Sequence, residues 1–153
     1  MSAVLKPMIE LCPMVEADLP AVMAIEKAIY AFPWTPGNFR DSLAAGYGCW
    51  TYVREGELIG YAVLMPAADE AHLLNLSIVA HCQRQGYGSQ LLLRLCEVAR
   101  GQGRQLIFLE VRPSNEAGLR LYARHGFQRI GLRRDYYPAP AGREDALIFS
   151  LPL

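Results

Sequence analysis

The sequence predicts a mixed α/β fold built on one sheet with a central parallel strand pair. Three observations carry that expectation. The stretch 72–111 reads as strand, helix, strand, a crossover unit that makes its two strands parallel. The segments before and after it read as hairpin-connected strands, which are antiparallel. Hydrophobic residues make up 52% of 153 residues, enough to fill the core of one domain spanning 1–153. The expected element order is β-α-α-β-β-β-α-β-α-β-β.

Each element has a local reason. Residues 8–15 read as a short strand, and Asp18 then caps a helix with Val22, Ile25 and Ile29 on one face. Phe32-Pro33-Trp34 interrupts it. Thr35-Pro36 restarts a second helix, with a cap and a proline at the first position, and Gly46 ends it. Cys49–Arg54 and Leu58–Met65 form a hairpin around Glu55-Gly56-Glu57, and His72–Val79 adds a third strand. From Gly88 to Arg100, Leu91, Leu92, Leu95, Cys96 and Ala99 keep to one helical face until Gly101 and Gly103 stop it. Residues 106–111 are apolar on both alternating faces except for Glu110, the pattern of a strand covered on both sides. Ser114 or Asn115 caps a last helix that ends at His125-Gly126. Terminal strands at 127–135 and 144–151 flank Tyr136-Tyr137-Pro138.

Composition excludes several classes. Lys+Arg and Asp+Glu are both 15, so no global basic field exists for nucleic acid. No apolar run approaches the ~18 residues of a membrane span, and the first 19 residues carry scattered charges unlike a secretion leader. A cytoplasmic location and no membrane partner are expected. Cys12, Cys49, Cys82 and Cys96 are widely spaced and read as reduced, mostly buried thiols. His72, His81 and His125 form no ligand pattern, so no metal is expected.

Both Gly86-Tyr87-Gly88 and Glu110 fall at carboxyl ends of strands, where open α/β sheets bind ligands. Two readings compete for the glycines. A dinucleotide fold would want a third small residue where Leu91 stands and more βα units than the chain retains. That reading ranks last. In the second, Gln83-Arg84-Gln85-Gly86-Tyr87-Gly88-Ser89 cradles a pyrophosphate with successive backbone N–H groups at a helix N-terminus, and Arg84 adds charge.

At Gln83-Arg84-Gln85-Gly86-Tyr87-Gly88 the chain resembles the GCN5-related N-acetyltransferase (GNAT) superfamily, whose acyl-CoA N-acyltransferase fold has the element order inferred above across essentially the whole length. Ala31-Phe32-Pro33-Trp34, Leu109-Glu110-Val111-Arg112, Ser114-Asn115, Leu121-Tyr122, His125-Gly126-Phe127, Arg134-Asp135-Tyr136-Tyr137-Pro138 and Gly142-Arg143-Glu144-Asp145-Ala146 narrow the resemblance to the RimI type. Those enzymes are ribosomal-protein-alanine N-acetyltransferases. Val79-Ala80 departs from the Asp-Pro of many relatives just before the loop.

The resemblance implies acetyl-CoA as cosubstrate and direct attack in a ternary complex on the N-terminal alanine of a small-subunit ribosomal protein. Leu76, Ser77 and Ile78 would lie along the thioester arm, Arg84, Gln85, Gly86, Tyr87, Gly88 and Ser89 around the pyrophosphate, and Asn115 at the pantetheine. Glu110 would be general base. From the residues alone it reads equally as an ordinary salt-bridged glutamate, paired with Arg112; the matched context favours the base. Tyr122 would be general acid, since a phenol of pKa ~10 stays protonated at pH 7. Tyrosines at large more often pack on a core, and again the matched context decides. Phe32, Pro33, Tyr136 and Tyr137 would wall a peptide groove, with Trp34 packed beneath it. Glu26, Asp135, Glu144 and Asp145 are unranked partners for a basic substrate. Cys82 reads as a passenger and Cys96 as core. The alternatives are a GNAT enzyme acting on a small amine or other protein N-termini, and a non-catalytic acyl-CoA-binding module.

Overall fold

A computed structural model describes residues 8–153; residues 1–7 of the N-terminal stretch considered above lie outside the described residues. The strands are β1 (Ile9–Pro13), β2 (Gly48–Arg54), β3 (Glu57–Ala67), β4 (Glu70–Ile78), β5 (Leu106–Val111), β6 (Gln128–Ala139) and β7 (Gly142–Pro152). The helices are α1 (Leu19–Ile29), α2 (Pro36–Ala44), α3 (Tyr87–Gly101) and α4 (Glu116–Arg124). This is the expected mixed α/β order. All strands join one sheet, β1-β2-β3-β4-β5-β7-β6. The β4–β5 pair is parallel, as the α3 crossover requires, and every other pair is antiparallel.

Apolar residues cover the sheet on both faces. Leu91, Leu92, Leu95, Cys96 and Ala99 of α3 are almost wholly buried with Ile107, Leu109 and Val111 of β5. The other face packs Leu19, Val22 and Met23 of α1 and Phe39 of α2 against Tyr61 and Val63 of β3. Thr35 caps α2 as expected, its Oγ1 accepting from Asn38 N–H at 3.1 Å.

Two local expectations are corrected. Asp18 does not cap α1: its carboxylate accepts from Val15 N–H at 2.8 Å. A 3-10 turn, Glu16–Asp18, precedes the helix, and Pro20 in the first turn has no N–H to offer. Ile25 and Ile29 are only half-buried, and Met23 and Glu26 take the inward positions with Val22. The terminal strands also run longer than expected, so Tyr136, Tyr137 and Pro138 belong to β6 rather than to its turn. Pairing breaks between Arg133 and Tyr137 and then resumes, with Asp135 at φ 51°. A bulge therefore re-aims the tyrosines without ending the strand.

The β3–β4 register shifts between Val63 and Leu64: Leu64 faces Leu73 and Val63 faces Asn75, leaving Leu74 as an extra residue. A bulge reverses which side chains face each way. Before it, Ala71 and Leu73 join the α3 side; after it Leu76 and Ile78 do, and Asn75 and Ser77 turn toward α1. Past the bulge β4 leaves β5, and the parallel ladder ends at Leu73–Leu109. Two central strands thus part at their carboxyl ends.

A buried polar network holds α1 over this opening. Glu26 is 2% exposed. Its carboxylate accepts from Tyr61 Oη–H at 2.7 Å, Asn75 Nδ2 at 3.1 Å and Trp34 N–H at 2.9 Å. Asn75 Oδ1 accepts from the Ser77 hydroxyl at 2.7 Å, and that hydroxyl lies 2.6 Å from Tyr30 Oη. Burial foremost, with the Glu26 charge adding, pushes the Tyr30 phenol up to about 12 although the Ser77 bond pulls it down.

These contacts predict two stability changes. Glu26→Leu strands three buried donors, each costing about 1–3 kcal/mol, so chemical denaturation should show a loss of at least ~3 kcal/mol. Glu26→Gln keeps an acceptor and should lose less than half as much. At Gly60 an added Cβ would meet Ser77 O at 2.7 Å and Ile78 Cδ1 at 2.8 Å. Gly60→Ala should therefore cost about 1–3 kcal/mol by overpacking; an unchanged unfolding midpoint would show that β4 yields freely there.

Candidate active site

Where β4 and β5 part, a cavity of about 630 Å³ opens. Leu73–Ile78 line one wall, Leu109–Arg112 the other, and Asn115, Gly118 and Tyr122 of α4 close one side. Backbone groups of β4 beyond Leu73 have no β5 partner; Ile78 O accepts from Gln83 Nε2 at 2.9 Å and Leu76 O from the Tyr30 phenol at 3.4 Å, and the N–H groups on this side have no ladder acceptor.

The glycine loop stands at the α3 end of this slot. Arg84 (φ 62°) and Gly86 (φ 88°) take left-handed conformations, which turn successive N–H groups one way. The first helical bond of α3 runs from Gln90 N–H to Gly86 O at 3.1 Å, and no side chain caps Gly86. The N–H groups of Tyr87, Gly88 and Ser89 therefore point out of the helix with no carbonyl behind them. This orphaned row, with the dipole of a 15-residue helix, fits a diphosphate. Gln83 Nε2 ties the loop to β4 by donating to Ile78 O at 2.9 Å. Arg84, Gly86, Gly88 and Ser89 line the cavity, as do Leu76, Ser77, Ile78 and Asn115. The side chains of Gln85 and Tyr87 do not. Gln85 donates to His81 O at 2.9 Å, and Tyr87 packs in the core beneath the Arg54 guanidinium. Only their backbone can serve a ligand there.

Asn115, not Ser114, caps α4, its Oδ1 accepting from Gly118 N–H at 2.9 Å. A Cβ at Gly118 would lie 2.6 Å from Asn115 Nδ2, so any larger residue there would displace the capping side chain. Seven residues on from the cap, Tyr122 reaches the cavity while packing 5.5 Å from the Phe127 ring. Its phenol is enclosed. Burial first, and then the Tyr30 and Tyr137 phenols, push it well above the ordinary tyrosine value.

Glu110 lies on the opposite face of the sheet from α3. Leu109 and Val111 bury in the α3 core, so period-two alternation sends Glu110 the other way. Its side chain is 8% exposed, with Oε1 3.7 Å from His72 Nε2 and 3.6 Å from Arg133 Nε. The expected alternative pairing with Arg112 does not occur. Arg112 Nη1 instead meets Glu144 Oε1 at 3.0 Å and donates to Pro138 O at 2.7 Å. Arg112 also sits 4.3 Å from the Tyr137 ring centroid and 5.3 Å from that of Phe32. One guanidinium thus joins the loop after α1 to β6. Tyr137 lines the cavity, and its phenol is pushed up to about 12 by burial and next by the Glu110 charge. Phe32, Pro33 and Tyr136 are exposed outside the cavity lining, at its approach. Trp34 packs 4.9 Å from Phe39, as expected, and lines the cavity too.

Of the four unranked carboxylates, Glu26 is bound in the buried network, Glu144 is held by Arg112 and Ser114, and Asp145 accepts from Asp135 N–H at 2.9 Å. Tyr30 and Asn75 line the cavity without having been singled out in the sequence, where neither stands in a motif. Cys49, Cys82 and Cys96 are buried thiols and Cys12 is half-buried. Among the described residues no group of three or more His, Cys, Asp or Glu could hold a metal ion, and no helix is long and apolar enough to cross a membrane.

A slot through a sheet, with unpaired N–H groups on one face and a carboxylate on the other, suits two reactants arriving from opposite sides. Residues 19–127 match the acetyltransferase (GNAT) family. The chain is 38% identical over 136 residues to ribosomal protein bS18-alanine N-acetyltransferase of Escherichia coli (strain K12), covering 89% of this chain and 92% of that one. It is 38% identical over 112 residues to N-alpha-acetyltransferase RimI of Mycobacterium tuberculosis, covering 69% and 68%. The crystal structure of the ribosomal-protein-S18-alanine N-acetyltransferase from Escherichia coli superimposes with a TM-score of 0.88 at 36% identity, over 95% of this chain and 94% of that one. The chain belongs to the acetyltransferase (GNAT) family.

Proposed function

We propose that the protein transfers the acetyl group of acetyl-CoA to the α-amine of a ribosomal protein that begins with alanine. The observation that carries this reading is the slot itself: the orphaned N–H row and Tyr122 lie on the α3–α4 side, and Glu110 faces the other way. The names of the relatives supply the class of acceptor. A cytoplasmic setting follows from such a substrate.

On this reading Arg84 and the backbone of 84–89 hold the pyrophosphate, Asn115 flanks the pantetheine arm, and main-chain N–H groups of the Leu76-Ser77-Ile78 stretch polarise the thioester carbonyl. No metal takes part. The peptide approaches between Phe32-Pro33 and Tyr136-Tyr137, the two segments joined through Arg112. Glu110 takes a proton from the incoming ammonium, directly or through a water, because an α-amine of pKa ~7.7–8.0 is largely protonated at neutral pH. The amine nitrogen then bonds to the carbonyl carbon, the carbon–sulfur bond breaks, and Tyr122 gives its phenolic proton to the departing thiolate. All 153 residues act as one catalytic domain.

Mass spectrometry of reactions with acetyl-CoA tests the acceptor. A peptide beginning Ala-Arg should gain one acetyl group on its α-amine, and a panel of small amines should gain none; the reverse result would transfer the enzyme to small-molecule chemistry. Glu110→Gln and Tyr122→Phe should each lower kcat by ~10²–10⁴-fold, the scale of a lost acid or base, with stability nearly unchanged. Wild-type turnover in either variant would remove that residue from the chemistry.

A further inference from the structure

Glu110 stands just beyond the last rung of the β4–β5 ladder, where the strand that should flank it has turned away. Its backbone still pairs with Ile148 of β7, but on the β4 side nothing except side chains can orient its carboxylate. We propose that His72 is the positioning residue for Glu110, with Nε2–H directed at Oε1 so that the other carboxylate oxygen faces the incoming amine. The inference rests on Glu110 being the base.

Four observations lead to His72. It pairs with Phe108 in the parallel ladder, so the two side chains leave the same face of the sheet. Their rings stack at 4.3 Å with 19° between planes, which fixes the imidazole. Glu110 is the next residue of β5 on that face, two positions beyond Phe108, and His72 Nε2 approaches it to 3.7 Å. That contact is longer than a hydrogen bond, as catalytic contacts often are before substrate arrives. His72 is itself outside the cavity lining, so it acts on substrate only through Glu110.

The competing partners are Arg133, at a similar 3.6 Å from the same oxygen, and Tyr136, whose phenol also bonds Glu110 but whose side chain is 45% exposed. Exposure separates them. The Arg133 side chain is 54% exposed and that of His72 only 14%. Solvent screens the arginine, whose guanidinium lies over the exposed Tyr136 ring, whereas the imidazole is stacked on Phe108. The charged groups facing His72 are Glu110 from β5 and Arg133 from β6. Burial holds the imidazole below the usual histidine range, against the upward pull of Glu110 and with that of Arg133. A neutral ring orients the carboxylate by an N–H bond without quenching the base with a second full positive charge.

The test separates positioning from packing. His72→Phe keeps a ring to stack on Phe108 but has no N–H, and His72→Gln keeps an N–H donor without the ring. His72→Phe should lower kcat at least tenfold, with KM for acetyl-CoA and for an Ala-Arg peptide changing less than twofold, and His72→Gln should restore most of kcat. In a Glu110→Gln background His72→Phe should have no further effect. Wild-type kcat in His72→Phe, or an equal loss in the Phe and Gln variants, overturns the proposal; so does a Phe effect that persists undiminished beside Glu110→Gln. Should His72→Phe not fold, the kcat of His72→Gln decides alone, a loss of tenfold or more counting against positioning. Full activity of Glu110→Gln is a different result, which would instead reject Glu110 as the base.

Discussion

One extra residue in β4 is the constraint on which the site depends. Leu74 has no partner in β3, and the bulge it makes turns β4 away from β5. Had the parallel ladder continued, Asn75–Ile78 would have satisfied their backbone on β5 and no cavity would exist. The parting takes the β5 ladder away from this stretch: Gln83 and Tyr30 side chains fill Ile78 O and Leu76 O, and the N–H groups on that side are left to meet a ligand. It also re-phases the side chains. Asn75 and Ser77 come to face α1 because of the shift, and the polar network that fixes α1 is built on both.

That network explains how an opened sheet keeps its shape. A buried carboxylate is expensive unless its hydrogen bonds are filled, and Glu26 has donors from β3, β4 and the loop after α1. One of those three bonds, from the Trp34 N–H, ties down Trp34 and with it the path of Phe32-Pro33. On the far wall Arg112 does a comparable job with Glu144, Phe32 and Tyr137. The approach to the slot is therefore clamped from two directions by hydrogen-bonded groups, whereas the ion-pair contacts of Glu110 are long, 3.7 Å to His72 and 3.6 Å to Arg133.

The scaffold was legible in the sequence wherever one local pattern decides a structure. Leu91, Leu92, Leu95, Cys96 and Ala99 state a helical face, 106–111 a doubly covered strand, and Thr35-Pro36 a helix start. The phosphate loop was legible for the same reason, since Gly86 takes a φ of 88° that few other residues would accept. What stayed hidden depends on contacts between distant segments. No residue type marks Leu74 as a bulge, because the shift is a property of its pairing with β3. Glu26 looked like one of four acidic candidates, and only the fold brings Tyr61, Asn75 and Trp34 around it. Asp18 reads as a helix cap because the turn it closes, which begins three residues earlier at Val15, calls for the same side chain. The tyrosines of 136–137 looked like loop residues because β6 is interrupted at Arg134-Asp135-Tyr136 before pairing resumes.

In the proposed reaction the acid and base need different surroundings, and the slot supplies them. By its value in water, an enclosed phenol with a raised pKa is a poor donor to a thiolate, whose parent thiol has a pKa of ~8.5 there. Yet desolvation destabilises any anion, and a thiolate released into the same enclosure suffers the penalty that raises Tyr122. The two values climb together, so the transfer stays closer to balance than their values in water suggest. Glu110 has the opposite requirement. It must be ionised in order to accept a proton, and the exposed Arg133 and Tyr136 side chains beside it lie between the carboxylate and the solvent to which that proton is finally lost. Reversing the two positions would bury a charge beside the thioester and expose the acid to water. The order of side chains along β5 forbids that reversal, because Glu110 alternates with Leu109 and Val111 and so must face away from α3.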